Sequence, residues 1–160
     1  MKVSAEVEIA CSLAASEAQR RRHDLMTVEH LLFALLHDEE TARILERTGG
    51  RLDQLERDLE RIFAESFEAV PGRKPVTPTP SNAFQRVLQR AALHVESAGK
   101  EELRAENLLV AIFAEADSPA ARLLADQGVT RLAVVDYISH GAALDAEDDD
   151  LEAVVEGSEA

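Results

Sequence analysis

The sequence predicts an all-α fold made of two pseudo-symmetric four-helix repeats packed as one domain, with a disordered acidic C-terminal tail. Three observations predict it: an apolar composition almost without aromatics, helical spacing of the apolar residues, and an internal duplication. Apolar residues make up 46% of the 160-residue chain, aromatics only 4%, and Trp is absent. The core must therefore come from Leu, Ile, Val and Ala, which suits packed helices better than a β-sandwich. At an offset of 77 residues the apolar positions superimpose without a gap through two successive helical patterns, the mark of a repeat.

In the first helix Val7, Ala10, Cys11, Ala14 and Ala18 recur on one face, and Phe84, Val87, Leu88, Ala91 and Val95 fill the same face in the second copy. The second helix follows an i, i+3, i+4, i+7, i+8 pattern through Val28, Leu31, Leu32, Leu35 and Leu36, which Ala105, Leu108, Leu109, Ile112 and Phe113 repeat. Thr27 is placed to cap the helix of the first copy. A two-residue insertion then shifts the offset to 79, aligning Ala42 to Glu46 with Ala121 to Ala125, and Gly49 with Gly128. Ser118 followed by Pro119 is a cap with proline at the first helical position, and each glycine closes a third helix where a left-handed residue is wanted. Fourth helices carry Leu52, Leu55, Leu59, Ile62 and Phe63, and Leu132, Val135 and Ile138, for eight helices in all.

Pro71, Pro75, Pro78 and Pro80 stand between the copies, so a stiff extended connector is expected there. After Gly141 the chain turns acidic, with Asp148, Asp149 and Asp150 in a row and too few large apolar groups to bury. The divisions are a first repeat at 1–67, a Pro-rich connector at 68–80, a second repeat at 81–142 and the tail or linker at 143–160.

Net charge is −14, of which residues 145–160 supply eight acids and no base. Acidity without a basic stripe argues against nucleic acid, whose binding needs Lys and Arg to displace counterions. No run approaches the roughly 20 apolar residues of a membrane span, and the N-terminus has no signal-peptide pattern. A single cysteine, Cys11, forms no internal disulfide, which fits a cytoplasmic location.

The polar residues give little sign of catalysis. His23, His30 and His37 are seven apart, but at 1.5 Å rise per residue they are spread over about 21 Å and do not converge on one ion. His30 reads as a satisfied core histidine, and neither metal nor cofactor is expected. Cys11 sits in the Ala-rich stripe and reads as inert. Gly72-Arg73-Lys74 lacks the upstream glycine and following hydroxyl of a phosphate loop. Arg20, Arg21 and Arg22 read as complements to a helix C-terminus. Arg86 and Arg90 flank their helix together, serving either acidic partners in the fold or a partner surface, and Lys100 and Arg131 are the other basic positions of the second copy.

These residues carry a family resemblance. Over residues 1 to about 142 the duplicated unit resembles the N-terminal repeat domain of Clp-type AAA+ unfoldases. The wording is most similar to the ClpA type, through Arg22 to Leu32, Phe84 to Ala91, Leu109 to Phe113 and Ile138-Ser139-His140-Gly141. The resemblance implies a docking module, not an enzyme, mounted on an ATPase ring. Such a module binds a ClpS-type adaptor or protein substrates for unfolding and delivery to ClpP. It implies an adaptor surface at Asp24, Glu29 and Ser81, with Asp24 and Ser81 standing where the family often has Glu and Thr. Arg86, Arg90 and Arg131 match basic positions of the family, and Lys100 replaces a common arginine. Two rival classes are a free-standing regulator competing for adaptor or substrate, and an enzyme with an unrecognised site.

Overall fold

A computed structural model describes residues 1–141. The helices are α1 (Ala5–Arg20), α2 (Val28–Leu35), α3 (Glu39–Arg47) and α4 (Leu52–Glu65) in the first copy. The second copy holds α5 (Asn82–Ser97), α6 (Ala105–Ile112), α7 (Pro119–Asp126) and α8 (131–141). Both α1 and α5, and both α2 and α6, begin and end 77 residues apart, as the apolar pattern predicts. Expectations for the tail at 143–160 lie outside the described residues.

Local chemistry starts and stops these helices. Ser4 and Ser81 cap α1 and α5, each hydroxyl accepting the N–H three residues on. Asp38 and Ser118 do the same for α3 and α7, with Pro119 opening the latter. At the far ends Gly49 and Gly128 take φ of 107° and 78°, so the next N–H turns back to Leu45 and Leu124.

Four two-residue strands, which the apolar periodicity does not reveal, join the copies. They are β1 (Lys2–Val3), β2 (Leu25–Met26), β3 (Thr79–Pro80) and β4 (Glu102–Leu103). β1 pairs in parallel with β4, and β2 with β3. Each copy therefore lends its leading strand to the loop before the other copy's second helix. Pro80 fits because the neighbouring N–H groups of Thr79 and Ser81 make the bonds, to Asp24 and Met26 carbonyls, while its own ring faces away from the ladder.

The core is continuous across the copies. Leu31, Leu32, Leu35, Leu108, Leu109 and Ile112 on α2 and α6 are buried together with Phe84, Leu55, Leu59 and Leu124. α2 touches α5, α6 and α7, while α3 meets α6 and α4 meets α7. Two polar clasps reinforce the seam. The Arg51 N–H donates to Gln127 Oε1 at 2.8 Å, and the Ala120 N–H donates to Glu29 Oε2 at 3.1 Å. Among the described residues no helix is long and apolar enough to cross a membrane.

Candidate functional site

The surface at the start of α2 is assembled by the β2–β3 pair. Asp24 accepts the Thr79 N–H through its carbonyl at 3.0 Å and keeps its side chain exposed. The Ser81 N–H, two residues beyond Thr79, donates to the Met26 carbonyl at 2.9 Å, and Ser81 stays half-buried. Arg22 fixes the connector to this junction. Its backbone is left-handed, at φ 61°, and its guanidinium donates to the carbonyls of Val70, Pro71 and Lys74. The Val70 N–H returns a bond to the Arg22 carbonyl at 2.7 Å. Asp24 and the Pro-rich connector line one hollow, while Ser81 stands at the far end of the two-residue ladder, past the exposed Leu25.

Glu29 does not share that hollow. It is 5% exposed, and its carboxylate faces the start of α7. The reason is local: the first turn of α7 has no acid, and Pro119 at its head has no N–H. The Ala120 N–H and the positive end of the helix therefore take their counter-group from the other copy. Burial raises the Glu29 carboxyl above its ordinary range, and the Ala120 bond works against that rise. The spacing in sequence places Glu29 beside Asp24 on the way into α2, but the second helical position turns inward toward the other copy.

A second polar group, invisible to the spacing argument, lies inside the first copy. His23 and His30 do converge: Nδ1 of His23 stands 2.9 Å from Nε2 of His30. The straight-helix rise over 23 to 37 does not apply, because the chain leaves α1 at Arg22 and turns back before α2 begins. The Thr27 N–H donates to His30 Nδ1 at 2.9 Å, so Nε2 carries the proton and donates it to His23. His30 stacks on Phe63 with ring centroids 4.7 Å apart, and Phe67 closes the cluster. Burial drives the His30 pKa down to about 3, helped by His23 and Arg21, and lowers that of His23 as well. Both rings are neutral near pH 7. His37 is outside this cluster, exposed and 3.4 Å from Glu56. Among the described residues no group of three or more His, Cys, Asp or Glu is placed to hold a metal.

The three arginines ending α1 are not equivalent complements of a helix end. Arg20 pairs with Glu17, while Arg21 makes a two-pronged bond to Glu60, at 2.9 and 2.8 Å, and lies 4.6 Å over the Phe63 ring. Arg22 holds the connector. Of the four basic positions in the second copy, Arg86 and Arg90 both grip Glu115, at 2.7 and 3.2 Å. Their bonds hold the Glu115 carboxyl below its usual value. Lys100 and Arg131 instead line a cavity between α5, α6 and α8. Cys11 is partly buried, and burial pushes its thiol up, away from thiolate chemistry.

The chain is a duplicated helical unit whose copies exchange their leading strands. The chain belongs to the Clp repeat (R) N-terminal domain family, whose model matches residues 2–127. It is 41% identical over 146 residues to the ClpA homolog protein of Fuscovulum blasticum, across 89% of this chain and 18% of that protein. The chain thus spans about a fifth of the length of that curated relative. Among solved structures it is similar to the N-domain of ClpV from Vibrio cholerae, with 24% identity, a TM-score of 0.67, and coverage of 89% of this chain and 84% of that one. It is also similar to a ClpV N-domain solved in complex with a VipB peptide, at 25% identity and a TM-score of 0.65, over 86% of this chain and 85% of that one.

Proposed function

We propose that the two repeats, 1–67 and 81–142, and the connector at 68–80 act as one docking body for a ClpA-type ATP-dependent unfoldase. The body captures an adaptor of the ClpS type, or protein substrates directly, in the cytoplasm, for unfolding and delivery to ClpP. The observation that carries this reading is the β2–β3 pair, which ties the segment of exposed Asp24 to the clamped connector and to the strand that leads into Ser81. An exposed carboxylate beside an exposed leucine suits a moderate interface in which a few residues dominate. The peptide complex of the similar ClpV N-domain supports docking as the role of the fold.

Glu29 enters this reading as a positioning residue, since its carboxylate is taken by Ala120. Titration of the purified chain against ClpS tests the assignment. Asp24→Lys should weaken binding by about 2 kcal/mol, more than the remote Glu65→Lys, while Glu29→Gln keeps an acceptor for Ala120 and changes binding little. Equal behaviour of Asp24→Lys and Glu65→Lys, with both folded, overturns the surface.

A further inference from the structure

The duplication makes each copy a control for the other, and one slot differs between them. In the first copy the crevice between α1, α2 and α4 is plugged. Phe33 and Phe63 fill it, Arg21 lies over both rings, and Glu17 and Glu60 hold the guanidinium. The corresponding crevice between α5, α6 and α8 is open, a cavity of about 250 Å³. At the offset of 77, Arg21 corresponds to Ala98 and Phe33 to Val110, so two of the three side chains that plug the slot are cut back. What remains is an apolar wall of Val95, Val110, Val135 and Ile138.

Charge at the slot is also inverted. Glu17 corresponds to His94, His23 to Lys100 and, at the offset of 79, Glu60 to Ser139 and Leu52 to Arg131. Every ionisable residue lining the cavity is basic, in a chain whose net charge is −14. Neither Lys100 nor Arg131 forms an ion pair among the described residues, unlike Arg86 and Arg90 on the same copy. The first copy supplies its own cation to two carboxylates. The second presents unpaired cations around a hollow.

We propose that this cavity binds a peptide segment of a partner protein in which an aromatic or large aliphatic side chain is flanked by carboxylates. The ring takes the space that Phe33 and Arg21 occupy in the first copy, and the carboxylates pair with Lys100 and Arg131. The volume, just under the usual 300–1,000 Å³ of small-molecule sites, suits one such side chain. The site shares no residue with the β2–β3 junction, so it stands or falls separately from the adaptor surface.

Fluorescence anisotropy of the full chain tests this with a fluorescein-labelled peptide Gly-Asp-Asp-Phe-Asp-Asp-Gly and its counterpart with lysine at every aspartate. Net negative charge opposes non-specific capture of the acidic peptide, so saturable binding reports the cavity. The acidic peptide should bind and the basic one should not. Arg131→Glu, at an exposed position, should weaken binding at least ten-fold, as should Val110→Phe, which restores the plug of the first copy. Helicity and melting temperature confirm that both variants are folded. Binding that survives Val110→Phe, or no saturable binding, overturns the proposal. Binding that appears only after Asp148→Asn, Asp149→Asn and Asp150→Asn together assigns the cavity to the chain's own acidic segment. Competition that rises with the chain's own concentration assigns it to a second copy. Either result overturns a partner peptide.

Discussion

The two copies use one helical frame and fill it by different physics. In the first, the space between its first, second and fourth helices holds Phe33, Phe63, Phe67, the His23–His30 pair and the Arg21 guanidinium. In the second, the equivalent space is lined by Val, Ala and Ile with Lys100 and Arg131 at its edge. The reverse holds on the opposite flank of α1 and α5. There Ile9 is exposed beside a shallow apolar hollow with Leu13, whereas the corresponding Arg86 and Arg90 close over Glu115. A duplication preserves the backbone and the central Leu layer, because any change there is felt by both copies. It leaves the flanking slots free to diverge, one toward rigidity and the other toward access.

The largest test of that contrast is Phe63→Ala. Phe63 touches both histidines, Phe33, Phe67 and Arg21, so its loss should cost about 3–5 kcal/mol in chemical denaturation. Val135→Ala on the open wall of the second copy should cost clearly less. Equal losses would mean that the plug contributes no special stability. Leu32→Ala and Leu109→Ala probe the conserved layer instead, and each should cost about 2–5 kcal/mol, because both leucines are fully buried. Here similar losses support the equivalence of the copies, and a gap of more than 2 kcal/mol breaks it.

The histidine pair sharpens the comparison through pH. Unfolded, His30 titrates near 6.5, and folded near 3, so below 6.5 the unfolded chain binds a proton that the native one refuses. Stability is therefore full above pH 6.5 and falls as pH drops toward 3, by up to about 1.4 kcal/mol per pH unit for this group. His23 adds in the same sense. Beside the pair, Arg21 is held above and Glu60 below its ordinary value by their mutual bond, so both keep their charges between pH 6.5 and 5. His30→Asn copies Asn107, which accepts the Arg104 N–H at the same position of α6. It should keep the Thr27 bond, lower stability at pH 7, and flatten the slope from 6.5 to 5. An unchanged slope would refute the assignment. The smallest effect belongs to the exposed clamp: Arg86→Ala should lower the melting temperature least of these variants, and the difference should fade with added salt.

The sequence by itself determined the all-α frame, the helix ends and the buried layer. Apolar spacing, caps such as Ser4, Ser81 and Ser118, and the closing Gly49 and Gly128 are local signals, and a repeat offset doubles each of them. Tertiary structure alone decided what depends on residues far apart in the chain. Glu29 turned from a surface carboxylate into a cap because α7, 91 residues away, lacks an acid of its own. His23 met His30 because the chain leaves α1 through left-handed Arg22, just ahead of His23, and runs through β2 into α2, which carries His30. Whether Arg21 plugs a crevice or Ala98 leaves one open is set by the aromatic rings and carboxylates that a fourth helix brings, and periodicity carries no information about that meeting.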